Sequence, residues 1–301
     1  MGLLKTQKDK NILVLAIISA FASVLFSFFG APFMRALFVS TKSRIFWATA
    51  TLLILTMLVA GTRNHKILET AVYVGSIWMT LGAYSELEKR GVGWLSSGLI
   101  SMTIGFLFAL AGYFLILKNL TNNDLLAEIV EPLSLALNRA IPQDSPTSAT
   151  LVKFLPGIFI ASLFGSLAIS FAFEDSVTKM FRIQRDRVAS GLRWLEFRLP
   201  SFAIWSALVA ILHSELNFGP AYLQILSINV LIVLSVAFFF QGITVVATLL
   251  RIYRVSPILR SITYLLIFLQ LAPFIVFMGF ADYWADFRTL VLKKQNNIKL
   301  K

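Results

Sequence analysis

The 301-residue chain has no cysteine and only two histidines, His65 and His213. Disulfides, thiol nucleophiles and thiolate metal sites are therefore excluded, and two histidines are too few for a histidine-based metal cluster. Charge is also scarce: 14% of residues are charged and 57% are hydrophobic, whereas a soluble domain carries about 25% charge. No compact fold hides that much apolar surface from water, so lipid must cover the excess. Walker and Gly-rich phosphate loops, an HExxH helix and a Ser/His/Asp set at one membrane depth are missing. The expectation is a protein that is not an enzyme, hydrolyses no nucleotide, and needs no metal or cofactor.

What is present is a series of long apolar runs. They lack the short alternating pattern of barrel strands and read as membrane helices. The runs cover 12–30, 45–61, 67–83, 92–117, 151–173, 199–213, 221–250 and 259–281. The predicted fold class is all-α: a polytopic transmembrane helix bundle of about eight spans, forming a single transmembrane domain over 1–301. The N-terminal run lacks a convincing small-residue cleavage site and is read as a retained first helix. Pro32 interrupts a short further stretch, 33–39, and marks a candidate re-entrant segment. The 221–250 run amounts to roughly 45 Å of helix, enough to tilt or protrude.

Net charge is +12, but the basic residues cluster at helix ends and in short loops, where they anchor spans against anionic headgroups. Nucleic-acid binding is not expected. The 174–198 segment is strongly basic, and Val177, Phe181, Val188, Leu192 and Leu195 fall near one helical face. Either an amphipathic helix near 177–195 lying in the headgroup plane or a solvated basic loop fits this pattern. The excess of Lys and Arg puts 174–198, the Arg251/Arg254 loop and the Lys89/Arg90 loop in the cytoplasm, and the acidic 118–150 segment outside. The expected location is the bacterial cytoplasmic (inner) membrane. Under an eight-span count the basic termini conflict with this assignment: Lys5, Lys8 and Lys10 at one end, Lys293, Lys294, Lys299 and Lys301 at the other. One re-entrant segment at each end removes both conflicts.

Small residues form two stripes. Ala16, Ala20, Ser23, Ser27 and Gly30 share one face of the first helix, and Gly157, Ala161 and Gly165 recur at spacing four. Small faces let helix backbones approach closely. They serve either docking of a membrane partner or a second copy, or packing within the bundle itself. No Asp, Glu, Lys or Arg lies near the middle of any run, which argues against a buried charge relay. The polar groups at depth are Asn229, Gln241, Thr244, Thr248 and Gln270. They are candidates for a small-molecule pocket or for interhelical hydrogen bonds. In the last span Asp282 and Asp286 share a face, with Arg288 within pairing reach.

Phe197-Arg198-Leu199-Pro200, then Phe240-Gln241-Gly242, then Gly279 through Asp282 and Asp286 to Arg288, occur in an order and spacing that resemble the YybS-like family of uncharacterised bacterial multi-spanning membrane proteins. That family looks like a relative of the substrate-binding S components of energy-coupling-factor transporters. The resemblance implies a small helical bundle that holds a vitamin or metal ion. It also implies docking, partly through small residues of the first helix, on a membrane partner that binds ATPases. The alternative is a structural or assembly subunit of a larger envelope complex.

Overall fold

The computed structural model describes residues 7–62, 64–117, 135, 148–183, 194–216 and 220–290. Ten α-helices and no strands are found among them. They are α1 (Gln7–Phe26), α2 (Ala31–Ser40), α3 (Ser43–Gly61), α4 (His65–Lys89), α5 (Trp94–Gly112), α6 (Ser148–Met180), α7 (Ser201–Leu216), α8 (Ala221–Ile252), α9 (Pro257–Leu266) and α10 (Ala272–Ala285). Every apolar run of the sequence coincides with helix. Among the described residues, five stretches are long and apolar enough to cross a membrane: Asp9–Ser40, Ser43–Gly61, Trp94–Leu115, Leu151–Met180 and Ala221–Ile252. Large apolar side chains face outward along them, including Ile17, Phe21, Leu52, Val59, Leu107 and Leu226. Water would penalise such a surface and lipid does not.

The chain divides into two compact units, Met1–Gly191 and Leu192–Lys301. In the first, the Asp9–Ser40 stretch is folded in two. Ser27 adopts a left-handed φ of 37°, a 3₁₀ turn over Ser27–Gly30 follows, and Pro32 sits in the first turn of α2, where its missing N–H costs nothing. Gly30 then lies directly on α1: a Cβ there would stand 2.7 Å from the Ser23 Cα. Both ends of this helical hairpin lie at one end of the unit. Asn11 donates to the carbonyl of Phe181, just beyond α6, and Arg35 reaches Glu88 and Glu174, near the C-termini of α4 and α6. The expected break at Pro32 is thus a turn that sends the chain back, and the start of α1 lies with the end of α6. This removes the charge conflict there.

Helices α3, α4 and α5 run up and down beside one another. Trp47 meets Gly82 near one end of the α3–α4 pair, and Leu68 meets Gly61 at the other. Val72 meets Gly112, and Thr80 meets Gly105, along α4–α5. Helix α6 follows α4 in the same direction, with Phe159 against Tyr73 and Phe171 against Tyr84. At the centre lies α2, in which every residue except Phe33 is buried. Its Met34, Leu37 and Phe38 form the core with Phe46, Trp78 and Leu163.

In the second unit α8 packs against α7 and, closely, α10. Gly242 and Gly279 face each other at the α8–α10 contact: a Cβ on Gly279 would stand 2.7 Å from the Gly242 nitrogen and collide with the Phe238 carbonyl. Glycine is required because the two backbones touch. A five-residue π segment, Ile267–Leu271, joins α9 to α10.

Two expectations fall partly outside the described residues. The 118–150 segment is described only at 135 and from 148. Of the basic 174–198 segment, 174–180 belongs to α6 rather than to a loop, Val177 is buried there, and Val188 and Leu192 lie outside the described residues.

Candidate functional site

Each unit holds one buried polar network. In the first unit the centre is Arg35, which is 1% exposed. Its Nε donates to a Glu174 carboxylate oxygen at 3.2 Å, one terminal nitrogen donates to the Ser85 hydroxyl at 2.6 Å, and the other pairs with Glu88. The guanidinium carbon stands 4.8 Å from the Phe171 ring centroid and 5.7 Å from that of Tyr84. The planar fork of arginine suits two carboxylates held by different helices. The Tyr84 hydroxyl is buried and has no hydrogen-bond partner among the described residues.

This network corrects the expectation of a charge-free interior. Arg35 is central in the short 33–39 stretch, which is too brief to weigh as a span, while Glu88 and Glu174 lie at the margins of long runs and read as loop residues. The available signal was a lone arginine between Met34 and Ala36 in an otherwise apolar decapeptide. Such a residue must be paired when buried.

In the second unit the residues singled out in the C-terminal third converge. Gln241 accepts the Leu199 N–H at 2.8 Å and donates to the Gly279 carbonyl at 3.0 Å. One amide thus ties α8 to the start of α7 and to α10. Asp282, fully buried, takes Arg288 at 2.9 Å and the Phe287 N–H at 3.2 Å. Arg288 also donates to the carbonyls of Leu195 and Phe197. Asp286, left-handed at φ 42°, pairs with Arg198. Hydrogen bonding to Thr289, then to Arg198, holds its carboxyl below the usual carboxylate range. Pro200 precedes α7 directly, pre-set for the first turn. Residues 286–288 are therefore fixed beside the beginning of α7. The chain leaves α10 near Arg198, and the charge conflict at this terminus also disappears.

The remaining candidates are dispersed. Thr244 and Thr248 bond back to carbonyls of their own helix, as does Asn229, and Gln270 is exposed. Thr248 alone of the five polar candidates borders a cleft, of about 680 Å³, which it shares with Leu195, Arg198, Arg251, Arg254, Asp286 and Arg288 among others. Of the first-helix stripe, Ser23 points inward and accepts the Trp78 indole N–H at 3.2 Å. Ala16 packs on the core, while Ala20 and Ser27 are half-buried. Gly157, Ala161 and Gly165 are buried in α6.

Comparison with curated proteins and with solved structures gives no match. Residues 12–283 match the model of a family described as "Predicted membrane protein (DUF2232)". That span includes both helical networks up to Asp282. The chain is an integral membrane protein of the DUF2232 family.

Proposed function

We propose that the protein is a non-catalytic, membrane-embedded binding subunit of a small-solute uptake system. In this reading its basic ends are cytoplasmic in a bacterial inner membrane, and a membrane partner supplies the energy. The observation that carries this reading is Arg35, held on a half-length helix between two buried carboxylates. Ionisable groups inside a membrane domain are costly and mark solute or proton paths, and broken helices are where transport proteins build such sites. One guanidinium faces two carboxylates from different helices, a site rich in carboxylate acceptors. It suits a protonated amine, a small cation or a proton. The resemblance to S components supports the same reading.

The test is thermal unfolding of the full-length protein in nanodiscs against cationic vitamins, amines and inorganic cations, with Glu174→Gln as control. Binding raises Tm by several degrees for one solute class, and the control loses that rise. A panel without any shift removes the proposal. A structural or assembly role is the second reading, favoured by the wide apolar face of α1 (Leu13, Ile17, Phe21 and Leu25 are exposed). Mild-detergent purification with a stoichiometric membrane partner, and no solute shift, would select it.

A further inference from the structure

The second unit contains a cleft rich in arginine. Its walls carry four arginines, Arg198, Arg251, Arg254 and Arg288, against two carboxylates, Glu196 and Asp286. Arg198 is engaged by Asp286, and Arg288 by Asp282. Arg251 and Arg254 are exposed and have no side-chain partner among the described residues. They are not consumed by the end of α8 either. The carbonyls of Leu249, Leu250 and Arg251 already accept the N–H groups of Tyr253, Val255 and Arg254. Arg254, at φ 51°, is the left-handed residue that closes this helix end. Arg288 is 9% exposed, and its buried Nε has no hydrogen-bond partner. Unused guanidinium donors therefore gather in one concavity, beside a backbone that fixes their spacing.

Guanidinium groups so placed match the oxygens of a phosphate group, which accept charge-assisted and bidentate hydrogen bonds. The cleft lies where a long apolar helix ends. Tyr253, Ile258 and Leu259, close in sequence to Arg251 and Arg254, are exposed, so acyl chains have a surface to lie on. We infer that this cleft is a binding site for a phosphate group, recognised chiefly by Arg251 and Arg254. The phosphate belongs either to the headgroup of an anionic phospholipid or to a small soluble phosphoester.

The test compares the full-length protein with Arg251→Gln/Arg254→Gln, and with Lys89→Gln/Arg90→Gln, which removes as much charge outside the cleft. Tm is measured in phosphatidylcholine nanodiscs, in nanodiscs containing phosphatidylglycerol, and in phosphatidylcholine nanodiscs titrated with glycerol 3-phosphate. The native chain and the Lys89/Arg90 variant respond to at least one phosphate source. In the Arg251/Arg254 variant the apparent affinity falls roughly 30-fold, about fivefold per arginine. A response to phosphatidylglycerol alone assigns the site to lipid, and a response to glycerol 3-phosphate assigns it to a soluble phosphoester. Equal responses in all three proteins mean diffuse surface charge and overturn the inference, as does no response to either source. The two arginines are exposed and unpaired, so their replacement leaves the fold intact, which unchanged Tm without phosphate confirms.

Discussion

Asp286 pairs with Arg198 across 88 positions of sequence. The contact returns the end of α10 to the beginning of α7, the end of the α7–α8 pair opposite to Leu216 and Ala221. The last apolar run therefore ends on the side where α7 begins, and not on the far side as an eight-span count would have it. The first run behaves in the same way, because α1 and α2 form a hairpin that enters and leaves at one end of its unit.

Labelling can check both returns, since the chain has no cysteine of its own. Within the first unit, Lys10→Cys and Arg90→Cys react with an impermeant thiol reagent from the same side, and Asn64→Cys from the other. Within the second, Glu196→Cys and Thr289→Cys share a side opposite to Ser214→Cys. Labelling of Lys10→Cys together with Asn64→Cys would rule out the α1–α2 hairpin.

Replacing Arg35 with methionine removes the guanidinium that two buried carboxylates share. The expected loss is about 3–5 kcal/mol, read as a large drop in Tm. Adding Glu88→Gln and Glu174→Gln to the same chain restores much of it, because the uncompensated charge is gone. A triple variant no more stable than the single one would show that the pairing is not what holds α2 in place.

Gln241→Leu is nearly isosteric but leaves the buried Leu199 N–H without its partner, while the Gly279 carbonyl keeps the N–H of its own helix. The buried orphan costs about 1–3 kcal/mol. Gln241→Glu keeps an acceptor for Leu199 but places a carboxylate beside Asp282 and is expected to destabilise at least as much. Denaturation in a mild detergent distinguishes these from Thr263→Val, which breaks a bond to its own helix and should be near neutral.

Gly279→Ala drives a methyl group into the Phe238 carbonyl. The α8–α10 contact must open, at about 1–3 kcal/mol for an overpacked interface. The same substitution at Gly98, where an added Cβ meets nothing within 4 Å, should stabilise slightly or do nothing. Paired melting curves of the two variants provide the check.

The sequence by itself determined the class of this protein, because transfer of a long apolar segment into lipid is a local property. Each of the eight runs became helix for that reason, and the break at Pro32 follows from backbone chemistry, whereas the need for glycine at 242 and 279 arises only where α8 and α10 touch. The convergence of Leu199, Gln241, Gly279, Asp282 and Arg288 could be suspected from their shared motif pattern, though not its geometry. Only the tertiary structure decided where the charges go. Arg35 and Glu174 are 139 positions apart, and nothing local in either segment names the other. They meet because α2 turns back at Ser27 and packs on α6. Burial then makes the pairing obligatory, since an unpaired charge in that interior would cost more than the fold can spare.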